Sequence, residues 1–348
     1  MLSYTSGQTV SPAFEGWEKN DDGSFSMMFG YMNRNWEEEV NVALGAENSF
    51  SPGDADQGQP TRFLPRRNRF VFKVRVPKDW GKKELVWTLT TRGKTERAYG
   101  TLREDSLVDN LVQASEQGAI GAGISSPEIR ANQPPLLTLD GGDRRAQIGQ
   151  PLTLIAFAKD DGVPAPRFGP DSRESRLIAQ ARARASGNAT PPAPTPRGTM
   201  TFDAAAQRPP SAITVGSQTG LRHSCFVYRG AGRVTFTPTQ AKVWEDTRTG
   251  ANSPWAPRWM APAIPADGKY SVAANFEDPG TYTIRCQASD GALNTAKDIV
   301  VSVTKSGPAL AEPYCVRQLL LPMPCVSSHF TNVMRARAKF NITPAEPS

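Results

Sequence analysis

The chain has 348 residues, enough for two ordinary domains, and its 38% hydrophobic content with 29 Gly and 30 Pro suits short strands joined by many turns. Its 40 Lys and Arg against 34 Asp and Glu leave a net charge of +6, a mild excess that fits acidic surfaces; no nucleic-acid motif accompanies it, so nucleic acid is not expected. No stretch reaches the roughly 18 apolar residues of a transmembrane segment, and residues 1–7 show neither the basic flank nor the apolar run of a signal peptide.

Residues 9–102 are predicted to form a β-sandwich. Phe25, Met27, Phe29 and Tyr31 alternate with Ser26, Met28 and Gly30, the period of two of a half-buried strand. Val40, Val42 and Leu44 repeat the pattern, followed by Phe70, Phe72, Val74 and Val76 and then Leu85, Trp87 and Leu89. Turn signals such as Asn20-Asp21-Asp22-Gly23 and Ser51-Pro52-Gly53-Asp54 separate them. In the basic run Arg62, Arg66, Arg67, Arg69, Lys73 and Arg75, alternation sets Arg69, Lys73 and Arg75 opposite Phe70, Phe72 and Val74. That is a solvated face rather than an anion-binding patch.

Residues 103–133 read as a linker or strap with one short helix within 107–117. A second β domain is expected over 134–305, opening with the alternation Leu152, Leu154, Ala156, Ala158. A low-complexity insertion interrupts it at 163–211, ending in a Pro-rich stretch that favours polyproline geometry. Strands resume near 221–228, 233–236, 269–275, 281–289 and 298–303, and the Pro-broken tail 306–348 is expected to be extended or disordered. The fold class is therefore mainly β, with two antiparallel β-sandwich domains.

Pro279-Gly280-Thr281-Tyr282-Thr283-Ile284-Arg285-Cys286, the turn Asp290-Gly291, and the closing run Asp298 to Val303 resemble the end of an immunoglobulin-like domain of the PKD or cadherin-like type. The segments around Tyr228, Trp244 and Trp255 also resemble exported bacterial proteins, which implies a periplasmic or secreted location despite the missing signal peptide. The resemblance implies a fold and says little of function. It places Cys225 near the position of the immunoglobulin core tryptophan, so that Cys225 and Cys286 either bond or remain as two buried thiols. A Cys315–Cys325 bond would be the companion.

Asp160, Asp161 and Asp290 fall in turns where cadherin-like modules hold calcium, a cation that needs six to eight oxygens; Asp also simply favours turns. No other cofactor is implied. Trp244, Trp255 and Trp259, beside Tyr228 and Arg258, form the best candidate binding surface, a platform for a sugar ring or a protein partner; the plainer reading is a small core folded under a loop. With two histidines and no nucleophile elbow, phosphate loop or dinucleotide fingerprint, an enzyme is not expected. The reading is a non-enzymatic extracytoplasmic protein that binds a glycan, an envelope polysaccharide or a protein partner. Its alternatives are an accessory structural subunit on the outer face of a membrane complex, and a carboxylate-based hydrolase.

Overall fold

A computed structural model describes residues 4–119, 126–166, 218–244 and 263–305, all within one compact unit, Met1–Ser306. Nearly all of the expected insertion, and the whole tail, lie outside the described residues. Among the described residues no helix is long and apolar enough to cross a membrane.

The N-terminal half is built from two three-stranded antiparallel sheets. Strands β1 (Val10–Lys19), β2 (Phe25–Asn33) and β6 (Arg66–Val76) form the first; β4 (Asn48–Ser51), β7 (Leu85–Thr91) and β8 (Lys94–Gly100) form the second. A two-residue pair, β3 (Val40–Asn41) with β5 (Arg62–Phe63), lies beside them. Trp87 is central to the core. Its ring stacks on Phe50 at 5.7 Å and meets Phe72 edge-on at 5.2 Å, while its indole N–H donates to Asn48 Oδ1 at 2.9 Å. A fully buried indole is tolerated because that one donor is satisfied.

Three expectations are corrected here. Strand β2 is covered on both faces rather than one: Met27 and Phe29 enter the main core, while Met28 packs on Phe70 and Val108. Phe70 does not share a face with Phe72 and Val74. Between Gly30 and its neighbours the register of β2 on β6 slips, so that Phe29 pairs with Phe72 but Tyr31 with Asn68. This bulge, with Phe70 at φ 50°, turns the ring to the opposite face. The pattern Val40, Val42, Leu44 supports only a two-residue strand, with Val42 buried and Leu44 exposed.

Strand β8 was not legible from hydrophobic pattern because Lys94-Thr95-Glu96-Arg97 faces water. It is set instead by the two-residue turn Arg92-Gly93, both at positive φ, which joins Thr91 to Lys94 in register.

The C-terminal half has the immunoglobulin strand order. One sheet runs β13 (Val234–Thr237), β14 (Lys269–Phe276), β11 (Leu152–Lys159), β9 (Leu136–Leu139). The other runs β10 (Arg144–Gln147), β16 (Asn294–Thr304), β15 (Gly280–Ser289), β12 (Arg222–Arg229). These reproduce the D-E-B-A and G-F-C arrangements, with β10 parallel to the last strand. Tyr282, Ile284, Ile299, Val301 and Val303 all point into the shared core. Tyr282 makes the tyrosine corner of the fold: its hydroxyl donates to the Asp278 carbonyl at 2.8 Å. The mainly β, two-sandwich, immunoglobulin-like class stands.

Between the halves runs a strap: a 3-10 turn at Glu104–Ser106, then α1 (Asn110–Glu116) and α2 (Pro127–Ala131). Asp109 accepts from the Val112 N–H and Ser126 from the Ile129 N–H, so both helices start on a capping side chain. The strap is tied to both sandwiches. Val108 packs with Met28 and Phe70, whereas Ala114 and Ala119 pack with Ala292 and Leu293.

Candidate functional site

The second sandwich meets the first along the outer face of β12 and β15. Cys225 and Val227 point into the core of the sandwich, so Phe226 and Arg285 are turned outward, and a bulge at the end of β12 places Tyr228 beside them. Arg285 is only 9% exposed. Its guanidinium grips Asp298 through two bonds of 2.7 and 2.8 Å, donates to the Val71 carbonyl at 2.7 Å, and lies 3.4 Å from the centre of the Tyr228 ring. The Val71 carbonyl is available because the β6 bulge lifts that segment out of the ladder.

Around this centre, the Tyr228 hydroxyl donates to the Gly58 carbonyl at 2.6 Å. Arg229 makes a two-pronged pair with Asp56 at 2.7 and 2.9 Å. Arg62, held by Glu39, donates to the Gly232 carbonyl at 2.7 Å. A planar guanidinium that meets a carboxylate with two parallel bonds fixes orientation as well as distance. Burial pushes the Tyr228 hydroxyl up to about 12, so it serves as a neutral donor at any physiological pH.

The same junction leaves a cleft of about 210 Å³ between the sandwiches. Four arginines, Arg62, Arg67, Arg69 and Arg285, line it together with Phe226, Val243, Gln287 and Asn294. Arg67 is paired with Glu15, whose carboxyl is nevertheless raised by burial, and Arg69 is paired with Glu116. The basic run read as a solvated face is thus divided. Lys73 and Arg75 face outward against Glu18 and Asp22, whereas Arg62, Arg67 and Arg69 belong to the junction.

Of the residues expected to form a tryptophan platform, Trp255, Trp259 and Arg258 lie outside the described residues. Tyr228 is not on a loop surface; it is 2% exposed and belongs to the junction. Trp244 is half-buried one residue beyond Val243, and the Lys242 ammonium lies 5.7 Å from its ring.

The three aspartates share one end of the second sandwich, where the consecutive residues Asn132 and Gln133 donate to Asp290 and to Asp161 respectively. Most of their oxygens are occupied by backbone. Asp290 accepts from the Ala292 and Leu293 N–H groups and from Asn132, and Asp161 accepts from Gln133 and Val163. Asp160 Oδ1 is buried without a partner, and burial first, then the neighbouring carboxylates, push this carboxyl up to about 6. The three do not come together at metal-ligand spacing. Among the described residues the one group of three such side chains whose ligand atoms lie within 4.8 Å of one another is His223, Cys225 and Cys286.

Cys225 and Cys286 face each other across β12 and β15 and are joined by a disulfide. The immunoglobulin bond spans the two sheets; this one links adjacent strands of a single sheet. His223 stacks on Tyr270 at 4.7 Å, and burial lowers its pKa to about 4. Cys315 and Cys325 lie outside the described residues.

No family model matches the chain, and no curated protein matches it. Solved structures do. Domains 4–9 of the surface-layer protein SbsC match at 10% identity and a TM-score of 0.23, over 83% of this chain and 28% of that one. The tandem immunoglobulin repeats of Dlar match at 10% and 0.23, over 86% and 98%. The Yersinia pseudotuberculosis adhesin InvE matches at 9% and 0.21, over 84% and 58%. The chain thus spans little more than a quarter of the surface-layer structure, and the fold assignment rests on its own strand order.

The junction residues were not foreseen. Arg285 sits at an alternate position of a strand whose Tyr282, Ile284 and Cys286 face the core, which is where an ordinary exposed Arg would sit. The available signal was on β12: Phe226 and Tyr228 alternate with Cys225 and Val227, so both faces of that strand are apolar or aromatic and both must be covered.

Proposed function

We propose that the chain is a non-enzymatic binding or scaffolding protein that acts outside the cytoplasm, with its ligand-binding surface at the junction cleft and the neighbouring Trp244. One observation carries this reading. The second sandwich is fastened through Arg285 to the backbone of the first and through Arg229 to its Asp56, which fixes the cleft walls before any ligand arrives. Clefts between sandwiches are common ligand sites, and a preformed one saves the ordering cost of binding. Four guanidinium groups in the lining, Arg62, Arg67, Arg69 and Arg285, against the one carboxylate of Glu116, with Val243 among them and Trp244 next along the chain, suit an acidic envelope polysaccharide or an acidic protein segment.

The test is retention on acidic cell-wall polysaccharide of the wild type against Trp244→Ala and Gln287→Ala. Binding that weakens at least tenfold in either variant, with an unchanged melting temperature, supports the reading. Equal retention of all three proteins, or none by the wild type on polysaccharide or on envelope protein, overturns it.

A further inference from the structure

The sequence contains no C-x-x-C pair, and His223 with Cys225 has no spacing that resembles a metal motif. The fold nevertheless builds a constellation. On β12, His223 and Cys225 are two residues apart and therefore share the inward face. Directly across the ladder, Cys225 pairs with Cys286 and His223 with Ala288. The partner opposite the imidazole is thus small, which leaves the ring free to lean along the strand toward the sulfurs. His223 Nε2 lies 3.8 Å from Cys225 Sγ, and the three ligand atoms fall within 4.8 Å of one another.

That spacing can be weighed against coordination geometry. Zinc–sulfur bonds of ~2.3 Å and zinc–nitrogen bonds of ~2.05 Å put N and S about 3.5 Å apart in tetrahedral geometry and about 3.8 Å apart in trigonal geometry. The His223–Cys225 edge already has the separation a bound ion would impose. Tyr270, stacked on His223 from the opposite sheet, holds the plane of the ring. Both sulfurs are buried among Leu154, Val272 and Ile284, away from competing water.

We propose that reduction of the Cys225–Cys286 disulfide converts this corner of the core into a three-ligand site for a zinc-class thiophilic divalent cation, with His223 Nε2 and the two thiolates as ligands. The steps balance. A dithiol reductant delivers two electrons and two protons, breaking the S–S bond and becoming a cyclic disulfide itself. The cation then displaces both thiol protons to solvent, and the sulfurs rotate apart to the ~3.8 Å that two thiolates on one ion require. Two thiolates and a neutral imidazole around a divalent cation carry no net charge, which an apolar core accepts far more readily than an isolated ion. The oxidised protein is a cross-linked sandwich and the reduced one a metal-linked sandwich, each joined at the same two strands.

The experiment uses the full chain carrying Cys315→Ser and Cys325→Ser, so that tail thiols cannot contribute. Reduced under anaerobic conditions, it should bind one equivalent of zinc and give thiolate-to-metal absorption with cobalt(II). His223→Phe, which keeps a ring against Tyr270, should weaken zinc at least tenfold, and Cys286→Ala should abolish the cobalt band. The oxidised protein should bind no metal. Because the reduced chain is less stable, its melting temperature is followed in parallel, and zinc should raise it in the reduced protein only. Absence of metal binding, binding unchanged by His223→Phe, equal binding by the oxidised form, or a reduced chain that zinc fails to restabilise would each overturn the proposal.

Discussion

Replacing Arg285 by Met tests the junction directly. Met keeps most of the aliphatic volume and removes the guanidinium. Three losses follow. The pair with Asp298 is worth about 1 kcal/mol, because the Asp298 side chain is 38% exposed and rehydrates once released. The Val71 carbonyl loses a charged donor in a site too buried for ready replacement by water, about 1–2 kcal/mol. The ring of Tyr228, with the guanidinium 3.4 Å from its centre and shielded from solvent, contributes about 1–2 kcal/mol more. The sum is about 4 kcal/mol, which at about 2–4 °C per kcal/mol for a protein of this size shifts the melting temperature down by roughly 8–16 °C. Scanning calorimetry should show one transition for the wild type and an earlier, broader or split one for Arg285→Met. A double-mutant cycle with Tyr228→Leu should return a coupling of about 1–2 kcal/mol. A shift under about 3 °C with the transition still single would refute the assignment of Arg285 as the fastening residue.

Further outcomes follow from the same geometry. Tyr282→Phe removes the hydroxyl that donates to Asp278 and should cost about 1 kcal/mol in urea unfolding without changing the m-value. Gly16→Ala should cost more, about 2–3 kcal/mol, because φ is +122° and the new methyl would meet Val108 Cγ2 at 2.3 Å and the Ser106 carbonyl at 2.5 Å; protease nicking within the strap should rise with it. Asp160 carries a folded pKa of about 6 against an ordinary 3.8, so its ionisation opposes folding: the penalty is absent below 3.8, grows as pH rises to 6 and stays constant above. Asp160→Asn should therefore leave stability unchanged at pH 3.5 and raise it by about 1 kcal/mol at pH 7, discounted because the group is half-exposed; a variant less stable at pH 7 would contradict this.

The second sandwich was the more legible of the two. Its strands carry clean alternation, as in Tyr282, Ile284, Cys286 and Ala288, and its closing turns Pro279-Gly280 and Asp290-Gly291 punctuate them. In the first half, alternation located the central strands but misjudged their faces. A period of two assigns every other residue to one side only while the ladder is regular, and the bulge opposite Gly30 reverses that assignment at Phe70. The charged β8 gives no apolar signal because it faces water, β5 is too short to repeat, and the alternation Val40, Val42, Leu44 overstates β3, which pairs for two residues only. The junction was hidden for another reason. Arg62, Arg229 and Arg285 resemble solvated side chains until the fold brings Asp56, Asp298 and backbone carbonyls from distant segments against them.

The proposed binding cleft depends on the two sandwiches holding one fixed relation. Spin labels at Tyr99→Cys on β8 and Ser302→Cys on β16, in a Cys315→Ser/Cys325→Ser background with the internal disulfide intact, report that relation as a distance distribution by double electron–electron resonance. A single narrow peak is expected, broadening when Arg285→Met is added. A broad or multimodal distribution in the protein with Arg285 present would contradict it.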